Sequence, residues 1–330
     1  MSAADLYVGV DVGRSTRIAL VDADGRIVAQ RRHTTVLASA RDLIDTLASR
    51  IAAFIEEALP YGRISGLGVG LPGLVERPSN RVVMLPNLVD VSSIDVFGEL
   101  RAATSLPLVF DNDANAATYG EWRCGAARGV DDFIYITLGT GIGAGIVEGG
   151  RLQRGAHGFA GEFGHLKISA DGLECSCGSY GCLETVASGP NIVRRTRERL
   201  FTDPSYALSP FGEKLRKRIA CEDVVEGAVE GDLLARMILA ETGVFLGMAI
   251  ANVVNLLNVE LVILGGPVMR DNAVLLEATL EQASHRAFTP SFTSCRVVAG
   301  ELGDDAGVIG SAMMARDEIS SARSATEAGS

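Results

Sequence analysis

Apolar residues in the first third of the chain come in short runs separated by polar turns, a pattern typical of strands. Such runs lie at 6–12, 17–21, 26–30, 64–70 and 106–110. Between the third and the fourth run, apolar positions in 40–59 recur every three to four residues and Pro60 follows, so this segment predicts an amphipathic helix. Strands that alternate with helices indicate a mixed α/β domain.

The opening pattern recurs in the second half of the chain. Apolar runs that predict strands lie at 133–138, 142–147, 152–153, 261–264 and 295–298, and helical spacing covers 232–257 and 272–285. In both halves a meander of three strands comes first and helices follow. We therefore expect a duplicated α/β fold with a cleft for small ligands between its halves.

Domain bounds follow from this repeat. We expect an N-terminal α/β domain at 1–115, completed by a C-terminal helix at 304–316, and a larger α/β domain at 116–303 that carries the loop 161–184. Residues 318–330 are mostly Ser, Ala, Thr and Gly with little to bury, so we expect a disordered tail there.

The charge of the chain limits its partners. The 330 residues include 30 Lys and Arg against 41 Asp and Glu, a formal net charge of −11. Such a chain has little with which to neutralise nucleic-acid phosphates or an anionic membrane, so we expect neither as a partner. The N-terminus lacks the pattern of a secretory signal, and asparagines interrupt the apolar stretch 244–264, so we expect a cytoplasmic protein without a membrane span.

A cluster of cysteines is the strongest chemical signal. The sequence Gly-Glu-Phe-Gly-His at 161–165 is followed after nine residues by Cys175, Cys177 and Cys182. The His165 imidazole and three thiolates form a closed tetrahedral ligand set for a structural Zn²⁺, and the glycines nearby allow the tight turn that such close ligands require. Buried free cysteines beside an unrelated histidine are the alternative.

Two carboxylates flank the predicted metal loop. Glu162 precedes His165 by three residues, and Glu184 follows Cys182 by two. A loop held by zinc would present both glutamates to the hydroxyls of a polyol, and the ring nitrogen of His165 that does not bind the metal could donate to a sugar hydroxyl. The alternative is that both glutamates are solvated surface charges.

Glycine-containing hairpin turns occupy matching places in the two halves. In the first, Asp11 ends a strand and Gly13 and Ser15 follow; in the second, Gly-Thr-Gly forms the tip at 139–141. Backbone amides and hydroxyls in such turns can hold phosphate oxygens, and a carboxylate can hold Mg²⁺. The second turn does not open a helix, so a dinucleotide-binding Rossmann site is excluded. Two phosphate turns would suit a nucleotide, whereas turns shaped only by packing are the alternative.

A strand-to-helix junction lies at 110–117, Phe-Asp-Asn-Asp-Ala-Asn-Ala-Ala. Asn112 or Asp113 would cap the helix, a role that needs no further function. The functional interpretation makes Asp113 the base that accepts the proton of a substrate hydroxyl, kept ionised by the helix N-terminus. A weak base suffices for phosphoryl transfer, because the loose transition state demands little early deprotonation.

Together these motifs resemble the ROK family (repressors, open reading frames and kinases) and, within it, the bacterial glucokinases, over about 7–314. The resemblance rests chiefly on the turn 138–145, on 161–165 and on Cys-x-Cys-Gly-x-x-Gly-Cys-x-Glu at 175–184. It implies an actin-like, ribonuclease-H-like pair of α/β domains with an active-site cleft, binding of hexose and ATP, and a homodimer or homotetramer.

The resemblance also implies roles for individual residues. Asp113 would be the catalytic base. Sugar would contact Gly73, Asn87, Asn112, Asp113, Glu162, His165 and Glu184. Phosphate, Mg²⁺ and the adenosine would lie against Asp11, Gly13, Ser15, Gly139, Thr140, Gly141, Gly265 and Gly266. Structural zinc would bind His165, Cys175, Cys177 and Cys182.

Departures from the family pattern leave alternatives open. The first turn carries Arg14 and Ser15 where the family usually has Gly and Thr, and the segment after Asn87 lacks the tryptophan of many glucokinases. We expect ATP-dependent phosphorylation of glucose at its 6-hydroxyl. The alternatives within the enzyme class are a kinase for fructose, mannose, allose or an N-acetylhexosamine, and polyphosphate in place of ATP as the donor. A sugar-sensing ROK repressor is the alternative outside the enzymes; the early first strand, near Leu6, and the negative charge disfavour it.

Overall fold

A computed structural model describes residues 5–36, 38–77, 79–85, 89–209, 211–212 and 219–328 of the chain. Its strands are β1 (Asp5–Asp11), β2 (Ser15–Val21), β3 (Ile27–Thr34), β4 (Arg63–Leu71), β5 (Leu74–Glu76), β6 (Arg81–Met84), β7 (Leu108–Asn112), β8 (Phe133–Leu138), β9 (Ile142–Glu148), β10 (Arg151–Gln153), β11 (Leu261–Gly265) and β12 (Arg296–Ala299). Its α-helices are α1 (Ala40–Ala58), α2 (Val96–Thr104), α3 (Asp113–Cys124), α4 (Glu184–Ala187), α5 (Gly189–Thr202), α6 (Cys221–Val229), α7 (Leu233–Leu257), α8 (Ala273–Arg286), α9 (Thr289–Thr293) and α10 (Ala306–Ala328).

The two large sheets share one topology, which confirms the predicted duplication. The first has the strand order β3-β2-β1-β4-β7, and the second has β10-β9-β8-β11-β12. In the first sheet β1, β4 and β7 run parallel, and in the second β8, β11 and β12 do the same. Their central strands are buried on both faces, which explains why they read as continuous apolar runs.

The chain divides into two compact units. Unit 1 comprises 1–131, 145–161 and 304–330, and unit 2 comprises 132–144 and 162–303. Unit 1 therefore includes 116–131 and 145–161, which the sequence placed in the second domain. The reason lies in α3, which extends past residue 115 and packs along α10 of the same unit.

Helices α3 and α10 approach each other at their backbones. A Cβ atom built on Gly310 would lie 1.7 Å from the carbonyl oxygen of Ala116, and one on Gly120 would lie 2.4 Å from that of Ala306. Glycines on both helices are therefore required for this contact. The contact fixes α3, and with it the junction at Asp113, against the C-terminal helix.

Helix α10 is longer than the sequence predicts, since it continues to Ala328 through most of the segment expected as a disordered tail. Long-range partners explain the difference. Ile319 is 9% exposed, and its Cδ1 occupies the space above Gly66 of β4. The Glu318 carboxylate accepts hydrogen bonds from Arg77 at 2.7 and 2.8 Å. Both contacts join the helix to residues more than 200 positions away, so the local composition of the segment, rich in small residues, cannot indicate them.

The apolar stretch that the sequence assigned to a core helix is α7. Among the described residues, α7 alone is long and apolar enough to cross a membrane, and 56% of its most apolar 18 residues are buried. Gly243 and Gly247 face α8 so closely that added Cβ atoms would lie 2.5 Å from the Ala278 side chain and 2.7 Å from the Gln282 Cβ. These contacts are those of a helix in a protein core.

Candidate active site

The predicted phosphate turn and the predicted base lie at the same edge of the first sheet. In the register of this sheet Asp11 of β1 pairs with Gly70 of β4, and Gly70 pairs with Asp111 of β7. These positions are the carboxyl ends of parallel strands, where open α/β sheets bind ligands. The sheet therefore brings Asp11 and the Asn112–Asp113 junction together within unit 1.

Asp11 lies in a largely enclosed, charged environment. Its Oδ2 is 3.6 Å from Nη1 of Arg17, and Gly307 in the first turn of α10 leaves room for the carboxylate, since a Cβ there would lie 2.8 Å from its Cγ. Burial raises the pKa of Asp11 to about 6; Arg17 opposes this rise, and Asp304 and Asp305 add to it. Asp11 is thus ionised at neutral pH but close to its titration range.

The turn after Asp11 is held by hydroxyl groups. The Thr35 hydroxyl donates to the carbonyl oxygen of Gly13 at 2.6 Å, and the Ser15 hydroxyl accepts from Nε of Arg32 at 3.1 Å. Arg14 is exposed at the tip. The structure thus presents the backbone of Gly13 and the Ser15 hydroxyl at the strand end, with the Arg32 guanidinium beside Ser15.

The start of α3 is built by its own side chains. Asn112 is the N-cap: its Oδ1 accepts from the backbone N–H of Ala114 at 2.8 Å and of Asn115 at 3.2 Å. Its Nδ2 donates to the carbonyl oxygen of Gly73 at 3.0 Å, which leaves the second amide hydrogen for a ligand. Asp113 is the first helical residue, and its Oδ1 also accepts from the Ala114 N–H.

Three predicted sugar contacts of unit 1 are therefore adjacent, namely Gly73, Asn112 and Asp113. Gly73 has a φ of 142°, a left-handed conformation that favours glycine. Asn87, predicted to bind sugar as well, lies outside the described residues.

Unit 2 brings together the glycines predicted to face the nucleotide. Gly139, Thr140 and Gly141 follow β8, and Gly265 ends β11, where it pairs with Thr137 of β8. Gly266 has a φ of 85°, and a Cβ there would lie 2.4 Å from the carbonyl oxygen of Leu138. Both turns thus lie at the carboxyl ends of adjacent parallel strands, as in the first sheet.

Glu184 connects this glycine turn to the cysteine loop, the segment 161–184 that carries Cys175, Cys177 and Cys182. Its Oε2 accepts a hydrogen bond from the backbone N–H of Ile142 at 2.8 Å. A Cβ atom built on Gly141 would lie 2.6 Å from this oxygen, so glycine is needed at 141. The sequence predicts a sugar contact for Glu184 but not this second role. One carboxylate oxygen is therefore committed to the turn 139–142, and the other is the one that could accept from a ligand.

Glu162 and His165 lie at the N-terminal end of the loop 161–184, which the sequence predicts to contact sugar. Nε2 of His165 is 3.6 Å from Oε2 of Glu162, too far for a direct hydrogen bond. Burial raises the pKa of Glu162, His165 opposes the rise and Glu184 adds to it. Glu162 and Glu184 are therefore close enough to repel, and a hydroxyl-bearing ligand that donates to both would relieve this repulsion.

The predicted metal ligands converge. The ligand atoms of His165, Cys175, Cys177 and Cys182 all lie within 4.8 Å of one another, so this set could hold a metal ion. The Sγ atoms of Cys177 and Cys182 are 3.7 Å apart, and Nδ1 of His165 is 3.6 Å from Sγ of Cys175. Zinc–sulfur bonds of about 2.3 Å in a tetrahedron would place sulfur atoms about 3.8 Å apart, which fits this geometry.

Two basic residues, one in each unit, contact predicted site residues or their neighbours and were not singled out in the sequence. Nζ of Lys167 is 2.8 Å from Sγ of Cys182, and Nε of Arg154 is 2.6 Å from Oδ2 of Asp111. Each pair joins positions far apart in the chain. The sequence gives one local hint of such a pair. Asp111 precedes Asn112 and Asp113 at a strand end, and a buried carboxylate there needs a charged or polar partner.

The two sheets of equal strand order, with glycine turns at the carboxyl ends of their parallel strands, define a duplicated α/β fold of the actin-like type. The chain belongs to the ROK family, whose model matches residues 7–318.

Relatives include kinases and repressors. A glucokinase of Thermotoga maritima is 34% identical over 319 residues, which cover 94% of this chain and 98% of that protein. A xylose repressor of Caldicellulosiruptor bescii is 32% identical over 321 residues, which cover 95% of this chain and 79% of the repressor. Sugar phosphorylation is thus supported, and a regulatory role is left open.

A solved structure shares the fold. The crystal structure of a ROK family glucokinase from Streptomyces griseus, in complex with glucose and AMPPNP, superposes with a TM-score of 0.85 at 33% identity. The match covers 94% of this chain and 99% of that one. The predicted actin-like sugar-kinase fold is therefore confirmed.

Proposed function

We propose that this protein transfers the γ-phosphoryl group of ATP to the 6-hydroxyl of a hexose, with glucose as the main substrate. The observation that carries the proposal is the placement of Asp113 at the N-terminus of α3, on the same sheet edge as Asp11 and its turn. A carboxylate beside a phosphate-binding turn is the arrangement that phosphoryl transfer to a hydroxyl requires. The T. maritima glucokinase and the S. griseus complex with glucose and AMPPNP support the choice of substrates.

Asp113 would orient the sugar hydroxyl and accept its proton as the new bond from oxygen to phosphorus forms. The bond from the γ-phosphorus to the bridging oxygen breaks, and ADP leaves with the electron pair. The amides of Gly139 to Gly141 and of Gly13 would hold the phosphate oxygens as charge develops on them. Mg²⁺, held through Asp11, would neutralise part of the phosphate charge.

The sugar would be held by side chains whose hydrogen bonds within the protein leave a donor or an acceptor for a ligand. Asn112 retains one amide hydrogen, Glu184 retains one carboxylate oxygen, and Nε2 of His165 is the ring nitrogen turned away from the cysteines. Glu162 would complete the set, with Asn87 as a further sugar contact. Zinc on His165, Cys175, Cys177 and Cys182 would fix the loop that carries these groups.

The test of this function is Asp113→Asn. We expect kcat to fall by about 10²- to 10⁴-fold, because the amide cannot accept the proton, while hexose affinity by calorimetry and zinc content stay unchanged. Asp95→Asn is the matched control, since Asp95 caps α2 in the same unit and asparagine caps equally well. Wild-type turnover in Asp113→Asn would refute the assignment.

A sugar-sensing regulator without kinase activity is the second candidate, and the similarity to the xylose repressor favours it. An assay of sugar phosphate formation over glucose, fructose, mannose, allose and N-acetylhexosamines, with ATP and then polyphosphate as donor, separates the two functions. A sensor would bind one of these sugars without forming a sugar phosphate. A kinase would form sugar phosphate and leave one ADP for each transfer from ATP, or a polyphosphate shortened by one unit for each transfer from polyphosphate.

A further inference from the structure

An ion pair with a buried carboxylate, Asp111, lies at the end of β7, two residues before the proposed base Asp113. Asp111 is 2% exposed, and its Oδ2 accepts from Nε of Arg154 at 2.6 Å. Its Oδ1 accepts from the backbone N–H of Asn112 at 2.8 Å and from Nδ2 of Asn115 at 2.9 Å. The carboxylate thus holds the residues on both sides of Asp113 in one orientation.

The ion pair belongs to a ring of charged groups. Nη2 of Arg154 is 3.7 Å from Oε1 of Glu318 on α10, and Glu318 binds Arg77 through both carboxylate oxygens. Arg77 in turn donates to the carbonyl oxygen of Phe110. The backbone at 110 and the side chain at 111 are therefore held by two arginines that share one glutamate.

Arg154 also fixes the loop that leads to Glu162. The backbone N–H of Ala160 donates to the carbonyl oxygen of Arg154 at 3.0 Å, which closes this loop on itself. Gly158, with a φ of 90°, lies so close to β5 that a Cβ would be 2.4 Å from the carbonyl oxygen of Val75. One arginine thus anchors the helix start that carries Asp113 and the segment that enters the predicted sugar loop.

We propose that the Asp111–Arg154 ion pair is the positioning element of the phosphoryl-transfer site: it holds Asp113 in the orientation for attack and ties that orientation to the loop 154–161. This proposal rests on the proposed function. Asp111 is 2% exposed and both of its carboxylate oxygens bind protein groups, so we assign the pair a positioning role and not a contact with substrate. A misplacement of about 1 Å at a reacting group costs about 10²-fold in rate, so the ion pair acts on kcat.

The test compares Arg154→Met, Asp111→Asn and the double variant. Arg154→Met leaves a buried carboxylate without its cation, the most unfavourable state of such a pair, so we expect kcat to fall by about 10- to 100-fold while KM for ATP changes by less than about threefold. In the double variant no charge is stranded, and asparagine still accepts the Asn112 N–H. Its kcat should therefore exceed that of Arg154→Met by at least about threefold.

Matched controls separate positioning from stability. Arg123→Met removes another ion pair between α3 and α10, Arg123 with Asp317 at 3.0 Å, at the end of α3 far from Asp113 along the helix. It should lower the melting temperature without changing kcat. Folding of Arg154→Met is judged by the fluorescence of the single tryptophan, Trp122 on α3. If this variant does not fold, Arg154→Lys and Asp111→Asn are tested instead, and each should lose at least about threefold in kcat.

The outcomes are distinguishable. Three results would overturn the positioning role: a kcat of Arg154→Met within twofold of wild type, an equal loss of kcat in Arg123→Met, or a double variant with a kcat no higher than that of Arg154→Met. Hexose turnover by the wild type would still support the proposed function in each case. A wild-type chain that turns over no hexose would remove the proposed function and the positioning role together.

Discussion

Two carboxylates at one sheet edge have different surroundings and therefore different proposed tasks. Asp11 is enclosed beside Arg17 with two further aspartates nearby, and its pKa is raised to about 6. Asp113 lies at the first turn of α3, where the backbone N–H of Ala114 donates to it. The position of Asp113 at a helix N-terminus suits the proposed proton acceptor, whereas the enclosed Asp11 suits the proposed cation bound with phosphate.

The raised pKa of Asp11 predicts a pH dependence of ATP binding. Because the pKa in the folded protein, about 6, lies above the ordinary value of 3.8, Asp11 takes up a proton as the pH falls through 6 and would then no longer attract the Mg²⁺ that we propose it holds. We expect KM for Mg-ATP to rise by about three- to tenfold between pH 7.5 and 5.5. Initial-rate kinetics at saturating hexose measures this rise.

Asp11→Asn is the control for that pH series, because the phosphates of ATP also titrate near pH 6. The variant should have a high KM at every pH, and any slope that it keeps belongs to the nucleotide. Identical slopes in the variant and the wild type would show that Asp11 does not titrate in this range.

The positions of candidate site residues could be predicted where a motif places them close together in the sequence, and not where a contact joins them to a distant partner. The cap at Asn112 and the four metal ligands follow from short spacings, and the structure brings the four ligands together. The contact of Glu184 with the Ile142 amide joins residues 42 apart, and no periodicity indicates it. The same holds for Arg154 and Asp111, which are 43 apart.

At the scale of elements, the cysteine loop is closed by short backbone pairings rather than by a core of its own. Isolated bridges join Lys167 to Cys182 and Glu174 to Tyr180. Gly181 has a φ of 70°, and a Cβ there would lie 1.8 Å from the carbonyl oxygen of Ser169. With few buried side chains in the loop, a bound metal would supply most of its order.

Lys167 is expected to stabilise metal binding by this loop. Three thiolates and one imidazole around Zn²⁺ carry a net charge of −1, and the Lys167 ammonium lies 2.8 Å from the Cys182 sulfur. Lys167→Met should therefore release zinc to a competing chelator about tenfold faster than wild type, as followed by the absorbance of a zinc-binding dye.

Lys167→Arg retains the charge and should release zinc at close to the wild-type rate. Equal release rates in the methionine variant and the wild type would mean that the ammonium does not contribute. Purified protein without about one zinc per chain would contradict the metal assignment itself.

Element boundaries show where sequence patterns stop being informative. Strand β8 begins and ends as predicted, because its buried run is bounded by turn residues on both sides. Helix α10 does not end where its apolar pattern weakens, because Glu318 and Ile319 find partners on the loop after β5 and on β4. Tertiary contacts of this kind override local propensity.

At the scale of the whole molecule, the repeat of the topology made the fold predictable from one sequence. Both sheets have the same strand order, so two weak signals in matching places support each other. The duplicated turns after β1 and β8 lie at equivalent positions of the two sheets. The repeat does not indicate substrate choice, which the sequence-based prediction links to the segment after Asn87, or the strength of nucleotide binding, which it links to Arg14.

The net charge gives the last prediction, which separates a kinase from a DNA-binding regulator. A formal charge of −11 opposes the counterion release that drives binding to DNA, so we expect dissociation constants weaker than about 10⁻⁴ M for duplex DNA at physiological salt. Fluorescence anisotropy of a labelled duplex, measured from 50 to 200 mM salt with and without glucose, checks this expectation, and ADP release is measured on the same preparation. Micromolar binding that weakens steeply with salt, together with no ADP release, would assign this chain to the regulators of the ROK family. Glucose-dependent ADP release without DNA binding would assign it to the kinases, because a repressor needs an affinity for DNA phosphates that the negative charge of this chain disfavours.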